Sequence, residues 1–236
     1  MDTVDVDGLR IAYERAGAGP PLVLLHGYVG DGPTTWGRQL DTLCDDYTVV
    51  AWDAPGAGGS SDPPESFGMA GYAECLAGLV AALGIESAHV AGLSFGGALA
   101  LELSRRHAAI PMSLVLADLR PDEFVDALLP SMFSDGTAPE VVDAFRLSML
   151  GVRPGGFRAM ARASAEDLRD ALPGVAVPTL LVYGDRDVRA PLTVGEALHA
   201  AISASKLVVL RGAGHVCNVE SPDEFDEAVR DFLHRR

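Results

Sequence analysis

The chain has 236 residues, 48% of which are hydrophobic, and a formal net charge of −15 at pH 7. That length and apolar content suffice for the core of one domain, since single domains of up to about 250 residues are common. The acidic charge argues against nucleic acid and against an anionic membrane surface as partners, because both are bound by basic faces.

The cysteines and the start of the chain argue against several further classes of protein. Cys44, Cys75 and Cys217 are odd in number and far apart, which indicates neither a disulfide framework nor a zinc site, so we expect buried free thiols. Segment 1–10 is acidic and lacks the basic, then apolar, character of a secretory signal. No later stretch offers about 18 uninterrupted apolar residues. We therefore expect a cytoplasmic protein with no membrane partner.

Short apolar runs alternate with longer helical ones along most of the chain. An N-terminal ribbon comes first, with strands over 4–7 and 9–15 and a turn at Asp7-Gly8. Continuously apolar strands are typical of burial on both faces, so the alternation predicts an α/β fold with a mostly parallel sheet and helices on both sides. The further predicted strands are 22–25, 48–52, 89–93, 113–117, 179–183 and 206–210. The predicted helices are 35–44, 69–83, 95–106, 192–201 and 223–234.

Residues 120–172 break this alternation. They contain three helix-like pieces, over 121–133, 140–150 and 157–172, with no strand between them and with proline and glycine at the turns. We expect these pieces to form a cap over the sheet. Their apolar residues either line a pocket or, as helical spacing more often indicates, simply pack: Phe124, Leu128, Met132, Phe133, Phe145 and Met149.

Ser94 lies in the sequence GLSFG, where a predicted buried strand gives way to a predicted helix. The pattern G-x-S-x-G at such a junction predicts a sharp, strained turn that exposes the serine hydroxyl, with flanking glycines removing Cβ atoms that would collide. The alternative is an ordinary tight turn. A serine nucleophile also requires a base to take its proton and a third group to orient that base.

His215 is the best candidate for the base. It follows the last predicted strand in the loop Arg211-Gly212-Ala213-Gly214, at the strand end where ligands bind in open α/β sheets. The alternative is a solvated loop histidine. We expect structural roles for four other histidines, which lie within a strand, late in helices or at the C-terminus: His89, His107, His199 and His234.

The orienting carboxylate is expected after the penultimate strand, in the sequence GDRD. We favour Asp187, because a carboxylate beyond the turn reaches further across the loop, whereas Asp185, directly after Gly184, can form an Asx-type turn. Asp118, at the end of the preceding strand, is kept as a substitute acid. The chain order Ser94, Asp187, His215 is the order expected of a nucleophile elbow.

Two backbone N–H groups are needed to stabilise an oxyanion. The N–H of Phe95, at a helix N-terminus, is one candidate, and the N–H of Tyr28, in the glycine-containing loop after strand 22–25, is the second. We expect the Tyr28 and Phe95 side chains either to face the pocket or to pack in the core. The glycine-rich segment 53–60 lacks the spacing of a phosphate-binding loop and is predicted to be a structural turn.

Five landmarks in order identify a family that the whole chain resembles: HGY, DAPGAGGS, GLSFGG, GDRD and GAGH, beginning at residues 26, 53, 92, 184 and 212. The sequence resembles the α/β-hydrolase superfamily, and most closely its small capped esterases, enol-lactone hydrolases and carbon–carbon bond hydrolases. The resemblance implies the α/β-hydrolase fold: an eight-stranded sheet with its second strand antiparallel, in a single domain over 1–236. It also implies that 120–172 is a helical cap inserted between strands six and seven.

The resemblance assigns catalysis to Ser94, Asp187 and His215, with the N–H groups of Tyr28 and Phe95 as the oxyanion hole. We expect a serine hydrolase, monomeric or homodimeric, that cleaves a small or medium, largely uncharged ester or lactone. No metal and no organic cofactor is implied. Carbon–carbon bond hydrolysis or perhydrolysis with the same residues is the alternative chemistry, and a ligand receptor without turnover is the alternative class.

Overall fold

The computed structural model describes residues 1–64, 66–119, 132–150 and 153–234. The apolar runs form the strands, and β4 and β5 are buried along their whole length. The eight strands are β1 (Asp2–Val6), β2 (Leu9–Ala16), β3 (Pro21–Leu25), β4 (Thr48–Trp52), β5 (Ala88–Leu93), β6 (Pro111–Ala117), β7 (Thr179–Gly184) and β8 (Ser205–Leu210).

One sheet contains all eight strands, in the order β1-β2-β4-β3-β5-β6-β7-β8. The ribbon of β1 and β2 is antiparallel, β2 pairs antiparallel with β4, and every pair from β4 to β8 is parallel. The prediction of a mostly parallel sheet with an antiparallel second strand is confirmed. Because the carboxyl ends of the parallel strands share one edge, the loops after β3, β5, β6, β7 and β8 meet there.

The helices surround the sheet, and most agree closely with the predicted positions. They are α1 (Gly32–Leu43), α2 (Met69–Ala82), α3 (Phe95–Arg106), α4 (Pro139–Leu150), α5 (Pro154–Ser164), α6 (Leu192–Ala201), α7 (Cys217–Glu220) and α8 (Pro222–Leu233). The piece predicted over 157–172 is divided into a helix that ends at Ser164 and a 3-10 helix that begins at Arg169, and the short helix Cys217–Glu220 was not predicted. Helix α1 starts three residues before the prediction, because Asp31 caps it by accepting the Thr34 N–H at 2.8 Å and Pro33 suits the first turn.

The described part of the segment between β6 and β7 contains α4, α5 and a 3-10 helix over Arg169–Gly174, with no strand. The first helix predicted there, over 121–133, lies almost entirely outside the described residues. Helix α5 is fastened to the rest of the molecule at its start, where Arg153 contacts Asp62 with 2.6 Å between Nε and Oδ1. Just after α5, Glu166 Oε1 accepts the Met69 N–H at 2.8 Å. In the described ranges, no helix has both the length and the apolar character needed to cross a bilayer.

Candidate active site

Ser94 occupies the turn between β5 and α3 with a backbone φ of 50°. This left-handed conformation is unfavourable for a residue with a side chain, and here the surroundings impose it. A Cβ on Gly92 would lie 2.5 Å from the Gly97 nitrogen, and one on Gly96 would lie 2.7 Å from the His26 carbonyl oxygen. The two glycines therefore allow the backbone to turn sharply at Ser94, as the sequence pattern predicts.

His215 and Asp187 reach Ser94 from two other loops. The His215 Nε2 atom lies 3.0 Å from Ser94 Oγ, and its Nδ1 atom lies 2.8 Å from Asp187 Oδ2. All three residues are buried. Since an ionised carboxylate only accepts hydrogen bonds, the proton lies on Nδ1 in the neutral ring, and Nε2 is left to accept the Ser94 hydroxyl. The three predicted residues are thus brought into one hydrogen-bonded series.

The second oxygen of Asp187 holds its own loop. Asp187 Oδ1 accepts the N–H groups of Arg189 at 2.7 Å and Ala190 at 3.0 Å, which is the Asx pattern expected of Asp185. Asp185 instead accepts the Gly212 N–H at 2.7 Å from the neighbouring loop. Asp185 does lie in a backbone turn, which the Asp187 N–H closes on the Gly184 carbonyl at 3.3 Å, but its carboxylate binds the neighbouring loop, so the Asx turn expected of Asp185 is made by Asp187 instead.

The proposed oxyanion donors flank Ser94. Phe95 is the first residue of α3, and Tyr28 lines the same pocket as Ser94 in the loop after β3. The Phe95 ring packs in the core against Tyr72, with ring centroids 5.3 Å apart, so its side chain follows the core-packing alternative. The Tyr28 ring lies 4.9 Å from that of Phe157 in α5.

The pocket at Ser94 is mostly apolar, with Arg189 as its charged side chain. Of the six apolar residues singled out in 120–172, Met132 lines it, and the Met132 carbonyl accepts the His215 N–H at 3.0 Å. Phe124 and Leu128 lie outside the described residues, as do the side chains of Phe145 and Met149. The lining residues are Gly27, Tyr28, Val29, Leu93, Ser94, Met132, Arg189, His215 and Val216.

Asp118 is a second buried carboxylate at this edge of the sheet. It follows β6 with a backbone φ of 45° and no exposed surface. Its oxygens accept the Gly184 N–H at 3.0 Å and the Cys217 N–H at 3.2 Å. Burial, followed by the charge of Asp187, raises the pKa of the Asp118 carboxyl to about 7. Asp118 was predicted only as a substitute acid, and the imidazole's carboxylate partner is Asp187.

Sequence reasoning missed Glu220, which links three segments near His215. Its Oε1 accepts the Gly214 N–H at 3.0 Å, one residue before His215. Its Oε2 accepts the Ser134 N–H at 3.0 Å and the Thr137 hydroxyl at 2.6 Å. Glu220 therefore fastens the segment after β6 to the loop that carries His215. No motif could reveal this, since the partners are distant in sequence.

The sheet order and the serine elbow with its histidine and aspartate define the class of α/β hydrolases. The sequence pattern described as the alpha/beta hydrolase family matches residues 22–228. The chain belongs to this family, and it is a hydrolase.

Solved structures and a curated relative agree with this class. A thermophilic esterase from Thermogutta terrifontis, solved with malate bound, superposes with a TM-score of 0.95 and 29% identity over 100% of this chain and 99% of its own. The enol-lactonase from Burkholderia xenovorans LB400 gives a TM-score of 0.91 and 28% identity over 99% and 100%. The 3-oxoadipate enol-lactonase 1 of Acinetobacter baylyi is 27% identical over 90% of this chain and 88% of its own.

Proposed function

We propose that the protein is a serine hydrolase that cleaves small or medium esters or lactones through an acyl-enzyme on Ser94. The observation that carries the proposal is the hydrogen-bonded series from Ser94 Oγ through both nitrogens of His215 to Asp187. That series supplies a nucleophile, a base and an orienting carboxylate in the geometry that acyl transfer needs.

In the proposed reaction Ser94 Oγ attacks the substrate carbonyl while His215 Nε2 takes the hydroxyl proton. Asp187 keeps the Nδ1 proton in place and stabilises the imidazolium that forms. The N–H groups of Phe95 and Tyr28 donate to the oxyanion, aided at Phe95 by the N-terminus of α3. The imidazolium then protonates the leaving alkoxide. Water, deprotonated by the same imidazole, releases the acyl group and restores Ser94.

The substrate class rests on the pocket and on the relatives. The pocket walls next to Ser94 are formed by Val29, Leu93, Met132 and Val216, which favour an apolar acyl or alcohol group. An esterase and two enol-lactonases are among the similar proteins. We propose in addition that α4, α5 and the residues before them act as the cap of a single domain, since the Tyr28 hydroxyl is 3.4 Å from the Phe157 carbonyl of α5.

The test is hydrolysis of a short p-nitrophenyl ester together with labelling by a fluorophosphonate and mapping of the labelled peptide. We expect Ser94→Ala to lose label and to lower kcat by at least about 10⁴-fold. Ser113→Ala is the matched control, because Ser113 Oγ is also buried and lies 2.7 Å from a histidine nitrogen, His89 Nδ1, within the sheet. Full turnover in Ser94→Ala would refute the nucleophile.

A substrate panel distinguishes the proposed chemistry from the alternatives. It contains p-nitrophenyl esters, enol-lactones, vinylogous diketones and an ester with hydrogen peroxide. Preference for the first two supports the proposal. Preference for the diketones would indicate carbon–carbon hydrolysis, and peracid formation would indicate perhydrolysis. Tight binding with negligible turnover across the panel would indicate a receptor.

A further inference from the structure

Asp118 is a buried carboxylate that the proposed reaction does not use, and the chain bends unfavourably to place it. Its φ of 45° lies in the left-handed region, where aspartate is tolerated at some cost. Its backbone N–H donates to the Val182 carbonyl at 2.9 Å, so Asp118 is hydrogen-bonded to β7 at the position of the bend. The conformation directs the carboxylate toward the backbone of the two loops that follow β7 and β8.

The two oxygens of Asp118 each hold one of those loops. Oδ1 accepts the N–H of Gly184, the last residue of β7 and three residues before Asp187. Oδ2 accepts the N–H of Cys217, two residues after His215. One carboxylate therefore fixes the spacing between the segments on which the His215–Asp187 hydrogen bond depends. Neither bond can be replaced by solvent, because Asp118 has no exposed surface.

The ionisable groups around Asp118 determine where its negative charge can act. The ionisable groups that face it are Asp187 from the loop after β7, His215 from the loop after β8, Cys217 at the start of α7, and Tyr183 in β7. Burial, followed by Asp118, raises the pKa of the Cys217 thiol, and burial likewise raises that of the Tyr183 hydroxyl, so these two groups stay neutral near pH 7. The ring of His215 is the group on which a second negative charge can act.

We propose that Asp118 is a positioning residue that holds the Asp187 loop against the His215 loop and, when ionised, adds a second negative charge in favour of the imidazolium. The inference rests on the proposed function, because it concerns the same base. When the Ser94 hydroxyl proton passes to His215 Nε2, the ring becomes positive and both carboxylates stabilise it. When the ring returns the proton to the leaving group, that attraction is lost, and no atom of Asp118 is exchanged.

The experiment is the pH profile of kcat and KM for a short p-nitrophenyl ester in wild type and in Asp118→Asn. The asparagine amide keeps the shape and one acceptor oxygen but loses the charge. We expect kcat to fall about tenfold with KM changed less than about twofold, since one pKa unit of lost interaction is a factor of ten. We also expect the ratio of wild-type to Asp118→Asn kcat to reach its full size above about pH 8 and to shrink below pH 7, because the carboxyl of wild-type Asp118, whose pKa is raised to about 7, is then itself neutral.

Asp185→Asn is the matched control. Asp185 is an aspartate on the Asp187 loop whose carboxylate also accepts a backbone N–H, that of Gly212 at 2.7 Å. In Asp185→Asn the ratio of wild-type to variant kcat should not change with pH. A fall in kcat in Asp118→Asn that is the same at every pH would reduce Asp118 to a structural group, and an unchanged kcat would overturn the inference entirely. Failure of the wild type to hydrolyse any ester would instead refute the proposed function.

Asp118→Gly is a second test variant, for the case in which Asp118→Asn does not fold. Glycine accepts a φ of 45° without strain, so this variant removes the carboxylate while easing the backbone. The loss of kcat should again be larger above about pH 8 than below pH 7. Wild-type kcat at every pH in this variant would overturn the inference independently of the asparagine result.

Discussion

Gly96 offers the sharpest test of how the elbow is built, because a single methyl group there meets unyielding backbone. A Cβ on Gly96 would lie 2.7 Å from the His26 carbonyl oxygen and closer still to the Leu25 carbonyl oxygen at the end of β3. In Gly96→Ala the start of α3 must therefore move away from β3, carrying Ser94 with it. Overpacking of this kind costs about 1 to 3 kcal/mol, against a gain of up to about 1 kcal/mol from alanine's helix propensity.

Gly37→Ala is the control, since Gly37 lies inside α1 and a Cβ there meets nothing within 4 Å. We expect Gly37→Ala to raise Tm by about 2 to 4 °C and Gly96→Ala to lower it by about 2 to 8 °C, because about 1 kcal/mol corresponds to 2 to 4 °C in a domain of this size. Thermal denaturation measures both. In the ester assay Gly96→Ala should lose about 100-fold in kcat/KM, the scale of a misplacement of about 1 Å. Wild-type kcat/KM in Gly96→Ala would refute the steric account of the elbow.

Two further predictions concern the carboxylates near His215. Glu220→Gln should raise KM and lower Tm, because an amide cannot accept the donors of both Gly214 and Ser134, whereas the same change at exposed Glu224 in α8 should alter neither. Substrate titration and thermal denaturation check both variants. The raised pKa of Asp118 means that the folded state binds its proton more tightly than the unfolded state, so its contribution to stability is full below about pH 4 and declines as pH rises to about 7. Asp118→Asn should lose less unfolding free energy than wild type between pH 4.5 and 8 in urea titrations, by about 3 kcal/mol, and equal losses would contradict the raised pKa.

The sequence predicts the bounds of a strand or helix best where its residues are completely buried. Strand β4 has the predicted bounds because all its residues are buried, so its apolar run has no polar interruption. Helix α3 has its predicted bounds because strand, elbow and helix follow without a linker. Helix α1 begins three residues before the predicted start because the Asp31 cap sets its first turn, whereas apolar periodicity indicates only its buried face. The start of a helix that begins at a capping residue is predicted correctly only when the capping residue itself is taken into account.

The site residues also differ in how well the sequence alone predicts them. Ser94 and His215 lie beside glycines whose spacing is local in sequence, so the pattern reveals them. Asp187 required a choice between two aspartates, and only the loop geometry shows that its second oxygen also makes the Asx turn. Glu220 acts through donors more than 80 residues away at Ser134 and Thr137, a relation that is absent from any local pattern. Contacts of this kind follow from the fold, and sequence reasoning reaches them only after the fold is known.

Backbone strain and buried charge occur together at one edge of the sheet. Among the described residues with side chains, a positive φ occurs at Asp7, in the ribbon turn, and at Ser94 and Asp118, which end the neighbouring strands β5 and β6. Such conformations cost about 1 to 3 kcal/mol each and persist only where the surroundings impose them. The Ser94 N–H donates to the Ala117 carbonyl at 2.9 Å, directly before Asp118, so the two bends share a hydrogen bond. The nucleophile and the second carboxylate are thus held by two strand ends that a hydrogen bond joins, which is why a change at Asp118 should lower kcat more than it changes KM.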